Sequence, residues 1–191
     1  MSKLVPQNTL QNVITYLCFK VTTLSQTKLM KLVYLADVYH MERFGTRLTD
    51  AKFKHWYFGP YSEEVESEIE HLCQEGILKT ETYQTNSGKV AEIPKPKIKQ
   101  TTVNLPESAL LVLDDIVNDW NTANSDEVTK YAKTCLPFVG TDFGKEINFK
   151  RIDVVVEYAR EHKLDVKDAA TELVEQNSHL VASLDRAKKR D

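Results

Sequence analysis

No apolar run in this chain is long enough to span a bilayer, which takes about 20 consecutive residues as a helix. Cysteine is scarce: Cys18, Cys73 and Cys135 are odd in number, far apart and never in a C-x-x-C pair. That pattern excludes a disulfide framework and a zinc site, and points to reduced thiols in a cytoplasmic protein. The opening MSKLVPQNTL has no basic stretch ahead of an apolar one, so no secretory signal is expected. Charge of one sign is also lacking. With 25 Lys and Arg against 28 Asp and Glu, the net charge of −3 supplies no global pull toward nucleic acid or anionic membrane.

Catalytic signatures are missing as well. The histidines (His40, His55, His71, His162, His179) fall in no H-E-x-x-H or similar ligand spacing. There is no G-x-S-x-G elbow, no phosphate-cradling glycine loop and no dinucleotide fingerprint. Asp114-Asp115 lies on an amphipathic segment and reads as solvated rather than as a paired acid and base. The expectation is a protein that is not an enzyme and carries no cofactor or metal.

What is present is an ordinary globular composition, 41% hydrophobic and 28% charged over 191 residues. That length suits one domain with an appendage, or two small ones. Leu10, Val13, Ile14, Leu17, Cys18 and Val21 predict a first amphipathic helix. A second follows, capped by Ser25 or Thr27. Leu29, Leu32, Val33, Ala36 and Tyr39 form one of its faces, and Met30, Leu35 and Val38 another, so it should be a central helix. Gly45 supplies its left-handed stop.

Lys52 to Phe58 reads as an aromatic strand, and Pro60 suits the first turn of a third helix that packs through Tyr61, Val65, Ile69, Leu72 and Cys73 up to Gly76. Ile77 to Tyr83 and Lys89 to Ile93 predict a hairpin, with Pro94 and Pro96 opening a linker. Further helices are expected from an Asn104 cap through Leu110, Leu113, Val117 and Trp120, from a Ser125 cap, and from about Asp153 to His162. Leu136 to Phe149 reads as irregular. Asp165 should cap a terminal helix whose Val166, Ala170, Leu173, Asn177, Leu180 and Leu184 keep heptad spacing. That seam suits homodimerisation, docking of a partner or packing on the helix's own domain. The fold class expected is α+β, mostly helical, with a small antiparallel sheet and winged-helix-like order in its first half.

A winged helix would place the third helix in the DNA major groove, where basic or amide side chains are needed. This one carries Glu63, Glu64, Glu66, Glu68 and Glu70, with Glu75 just beyond, and no Lys or Arg. Such a row repels phosphates, which argues against nucleic acid and leaves a solvated face or a surface for a basic partner. Lys95, Lys97 and Lys99 read as edge protection. Of His55, Trp56, Tyr57, Phe58 and Tyr61, most are expected in the core, and any exposed ring is a candidate contact because Trp and Tyr dominate interface hot spots.

KLMKLVYLADVYHMERFGTRLT followed by FKHWYFGPYSEEV resembles the Panacea domain, the SocA-like antitoxin family. The matching residues are Lys31, Leu32, Tyr34, Ala36, Asp37, Gly45, Trp56, Gly59 and Pro60. Where family members often carry a His followed by Pro-Trp, this chain has Cys135-Leu136-Pro137-Phe138. The resemblance implies residues 1–152 as the family domain and 153–191 as a helical extension. It implies an antitoxin, phage- or prophage-associated, that neutralises a cognate protein toxin by binding it, in one version as an adaptor to a Clp-type protease. The alternative is a winged-helix-like transcriptional regulator. Candidate partner-binding residues are Trp56, Tyr61, Glu63, Glu66 and Glu70 on the first half, and Leu173, Asn177 and Leu180 on the terminal helix.

Overall fold

A computed structural model describes residues 6–84, 88, 90–97, 103–165, 168, 169, 171, 172 and 175. The Asn8 side chain caps helix α1 (Thr9–Lys20) by accepting from the Gln11 N–H at 2.8 Å. Ser25, one of the two candidates, caps helix α2 (Gln26–Phe44), and Gly45 ends it in the left-handed region at φ 73°. Leu29, Leu32, Val33, Tyr34, Leu35 and Ala36 are all fully buried, so the middle of α2 is covered on every side. It packs against α1, the two short sheets and later helices alike. The central position expected for it is what the fold shows.

The aromatic strand is shorter than expected. Only Lys54–Trp56 pairs (β1), and the chain turns back at Tyr57-Phe58 into β2 (Gly59–Tyr61), with His55 opposite Pro60 and Trp56 opposite Gly59. Neither turn residue has positive φ, and Gly59, at φ 87°, takes the left-handed position that closes the turn. Pro60 is therefore a strand residue and not the first turn of a helix. Its carbonyl faces α2, so its nitrogen faces away from β1 and the ladder loses no donor. Helix α3 (Glu63–Gln74) begins instead at Ser62, whose hydroxyl accepts from Val65 N–H. It buries Val65, Ile69 and Leu72, and the chain turns at Gly76 with φ 76°.

Strands β3 (Leu78–Gln84) and β4 (Val90–Pro96) form the second hairpin. Pro94 and Pro96 do not begin a linker. They pair with Thr80 and Leu78, and Lys97 extends the ladder by donating to Ile77 O at 2.9 Å. Because the bonding positions alternate with the prolines along β4, the proline nitrogens point away from β3 and the ladder loses no donor, although Pro94 itself is buried.

Helix α4 (Glu107–Trp120) starts at Pro106 without a side-chain cap. Asn104 is used otherwise, its N–H donating to Asn12 Oδ1 at 2.7 Å and tying the chain to α1. The buried face of α4 is Ala109, Val112, Leu113 and Ile116; Leu110, Val117 and Trp120 flank it, half-buried. Asn124, and not Ser125, caps α5 (Ser125–Ala132), in a capping box with Glu127. Helix α6 (Leu136–Val139) is one turn inside the segment read as irregular, and α7 (Arg151–His162) follows. Asp165 Oδ1 accepts from Asp168 N–H at 2.8 Å, as an N-cap does. The heptad positions Val166, Ala170, Leu173, Asn177, Leu180 and Leu184 lie outside the described residues. The observed class is α+β, mostly helical, with two small antiparallel sheets. Among the described residues no helix is long and apolar enough to cross a membrane.

Candidate partner-binding surface

Most of the rings around the Gly-Pro turn are not in the core. Trp56, Tyr57 and Phe58 are 43%, 70% and 76% exposed. The hairpin is two strands of three residues with no layer above its tip, so alternation cannot bury both of its faces. Phe143, 48% exposed, reaches the tip from the loop after α6. It stacks on Trp56 at 5.2 Å and 17° and packs against Tyr57 at 4.4 Å. Trp56, Tyr57 and Phe143 thus form one exposed ring cluster, with the exposed Phe58 next to it in the chain. Single exposed apolar side chains need no explanation, but a contiguous aromatic cluster does.

The tip is held from below. Lys31, almost fully buried on α2, donates from Nζ to Pro60 O at 2.7 Å. Lys133, just after α5, donates from Nζ to Tyr57 O at 2.6 Å. Between them a Cβ on Gly59 would lie 3.3 Å from Lys31 Cε, 3.5 Å from Thr129 Cγ2 and 3.6 Å from Lys133 Cγ, so this glycine serves chiefly for its φ, with only the Lys31 contact tight. Burial, helped by the neighbouring Lys133 charge and opposed by Glu66, pushes the Lys31 ammonium down to about 8.

The loop 141–147 closes the outer side. His55 N–H donates to Lys145 O at 2.9 Å, Gly144 N–H to His55 O at 2.8 Å and Ile147 N–H to Phe53 O at 2.6 Å. His55 Nδ1 donates to Thr141 O at 2.6 Å, and its ring lies 3.9 Å from that of Phe138. A buried charge anchors the chain leading into β1. Asp37, fully buried on α2, accepts from Arg47 Nη2 at 2.6 Å, Arg47 Nε at 3.2 Å, Thr49 N–H at 2.6 Å and Thr49 Oγ1 at 2.9 Å. Burial raises its carboxyl, and the Arg47 charge and these bonds pull it back. Arg47 also donates to Ala51 O and lies 4.1 Å over the Phe149 ring. Tyr34 fills the space between Phe53 and Phe149, with centroids at 5.4 and 5.6 Å.

Lys31, Tyr34, Asp37, Gly45, Trp56, Gly59 and Pro60 therefore form the tip, its clamp and the helix that carries them. A family model described as the SocA-like antitoxin, Panacea domain, matches residues 29–135, more than half of the chain. The chain belongs to this family. No curated protein and no solved structure matches it significantly.

On this Panacea domain the other anticipated contact residues divide. Tyr61 is half-buried, its hydroxyl donating to Glu66 at 2.7 Å, a bond that holds the phenol up at about 12. Glu63 is exposed and paired with Lys54 at 2.8 Å, which lowers its carboxyl. Glu64 accepts from Lys52 N–H at 2.9 Å, and Glu68 from Asn8 at 3.0 Å and Gln11 at 2.7 Å. The acidic face of α3 is thus solvated, with Glu63, Glu64 and Glu70 exposed, and most of its carboxylates also accept from neighbouring residues. Leu173, Asn177 and Leu180 lie outside the described residues. Asp114 and Asp115 are partnered, by the Tyr16 hydroxyl and by Arg43 at 3.0 Å. Lys95 bonds Glu81 at 2.5 Å, across the hairpin.

Among the described residues no group of three or more His, Cys, Asp or Glu is placed to hold a metal ion. Lys133 and Phe143 were missed by sequence reasoning. Each lies about 80 residues from the tip it touches, and no local signal announces such a contact.

Proposed function

We propose that this protein is the antitoxin of a toxin–antitoxin pair, acting without catalysis by stoichiometric binding of a protein toxin, with the aromatic tip as a principal contact. Family membership supports a toxin as partner in general terms. The observation that carries the surface is the exposure of Trp56, Tyr57 and Phe58, with Phe143 beside them, on a hairpin whose backbone is fixed on both sides. Rings already held in place lose little conformational freedom on binding, which makes them efficient anchors. Exposed Glu63, paired with Lys54 of β1, lies beside the same hairpin, and Glu70 is exposed farther along α3. The free thiols Cys18, Cys73 and Cys135 suit a cytoplasmic site of action. We take residues 1–152 as the binding domain and 153–191 as its helical extension.

The test is co-expression with the protein encoded beside it. Wild type should restore growth and co-purify with that product. Tyr57→Ala and Phe58→Ala should each weaken the complex about 30-fold, as hot-spot truncations do, while leaving thermal stability within about 0.5 kcal/mol. If no neighbouring gene product binds, or if both variants bind like wild type, the reading fails. In the adaptor version a Clp-type protease is also needed, and the toxin's half-life shortens when the antitoxin is present.

A further inference from the structure

Two ammonium groups, from different elements of the fold, hold main-chain carbonyls on either side of one glycine. Lys31 reaches up from α2 to Pro60 O at 2.7 Å, and Lys133 reaches across from the end of α5 to Tyr57 O at 2.6 Å. Gly59 sits between their aliphatic stems, 3.3 and 3.6 Å from the nearest carbons of the two side chains. The two carbonyls bracket the turn, so its backbone has little room to pivot about the short β1–β2 ladder.

Neither lysine is spent on a carboxylate. Burying Lys31 is costly, and an apolar side chain of that length would fill the space between α2 and β2 more cheaply. Lys133 is exposed, and a side chain with that freedom gains little by settling on one carbonyl unless the carbonyl needs holding. Both facts point to the position of the tip, and not to general stability, as what the pair supplies.

We infer that Lys31 and Lys133 are positioning residues for the partner contact: a two-lysine clamp that presents Trp56, Tyr57 and Phe58 in one arrangement. This rests on the tip being the contact surface, but its structural half is testable on the free protein. The chain has two tryptophans, so Trp120→Phe leaves Trp56 as the only fluorophore of its kind.

In that background Lys31→Met, Lys133→Met and the double variant are compared with Lys130→Met, an exposed lysine on the same helix as a control. Both clamp variants should increase acrylamide quenching of Trp56 and lower its anisotropy, while the control leaves both unchanged. Melting temperatures should stay near the parent's. Affinity for the product of the adjacent gene should drop about tenfold for each clamp lysine removed, the scale of one charge-assisted hydrogen bond.

Unchanged Trp56 quenching and anisotropy in the double variant overturns the clamp. So does a loss of affinity that follows the melting temperature across the set and returns when a stabilising osmolyte restores it, since that is a merely structural role. If the parent binds no neighbouring product, the functional reading fails, and the fluorescence alone decides the clamp.

Discussion

Replacing Asp37 with alanine should destabilise this protein more than any surface substitution, and the size of the loss follows from the carboxylate's partners. Four hydrogen bonds end on its two oxygens, two from Arg47 and two from Thr49. Without the carboxylate, the Thr49 N–H is left buried and unpaired, at about 1–3 kcal/mol. Breaking a buried ion pair by removing one partner costs about 3–5 kcal/mol when the survivor stays buried. Here the Arg47 side chain is 24% exposed and keeps its bond to Ala51 O, so part of that cost is relieved by water.

A loss of about 4 kcal/mol is expected, which for a chain of this size lowers the melting temperature by roughly 8–16 °C. Urea unfolding followed by far-UV circular dichroism measures it, with Asp115→Ala, which breaks only an exposed pair, as the reference. The double variant Asp37→Ala/Arg47→Met should recover part of the loss because the stranded charge is gone. A cost below about 1 kcal/mol, or one no larger than that of Asp115→Ala, would refute the view of Asp37 as the buried anchor.

Gly59→Ala should cost about 2 kcal/mol, from a left-handed φ plus a tight contact with Lys31, and should exceed Gly45→Ala, whose added Cβ meets nothing within 4 Å. Matching urea midpoints for the two variants would remove the close-approach argument. For Lys31, the folded value of about 8 lies below the unfolded value of 10.5, so the unfolded chain holds more protons between them. Its contribution to stability therefore rises from pH 8 to pH 10.5, by at most about 3 kcal/mol. Lys133 and Glu66 face it and set the exact slope. Unfolding free energies against pH should rise more steeply for wild type than for Lys31→Met; parallel curves would show that Lys31 titrates alike in the folded and unfolded chain and would refute its lowering by burial.

Features set by neighbouring residues were legible in the sequence. The Gly45 stop, a cap at one of two candidates (Ser25) and the central position of α2 each depend on one turn or on one period, and each agrees with the fold. Three prolines were misread because their roles depend on register. Pro60, Pro94 and Pro96 are permitted in strands since their nitrogens face away from the paired neighbour, and no local pattern states which way a strand residue will face. The rings of the tip were misassigned for a related reason. Alternation assigns Trp56 and His55 to opposite sides of β1 without saying that neither side is covered at the turn. The acidic row on α3 was visible as charge, but its internal partners Lys54, Asn8 and Gln11 come from β1 and from α1 and its cap.

The motif divides its residues between support and surface. Tyr34, Asp37 and Pro60 point inward and meet their own chain, so substitutions there act on the fold, whereas Lys31 acts on the position of the tip. Tyr57 and Phe58 point outward, and the packing beneath them uses their backbone, through Tyr57 O and the turn that Gly59 closes. A clamp that grips main chain is indifferent to which side chains ride above it. Phe143, which meets the tip from beyond residue 135, is likewise held by a loop tied through backbone bonds to His55. If the tip is the partner contact proposed above, substitutions at Tyr57, Phe58 and Phe143 change the surface it offers while the support stays intact.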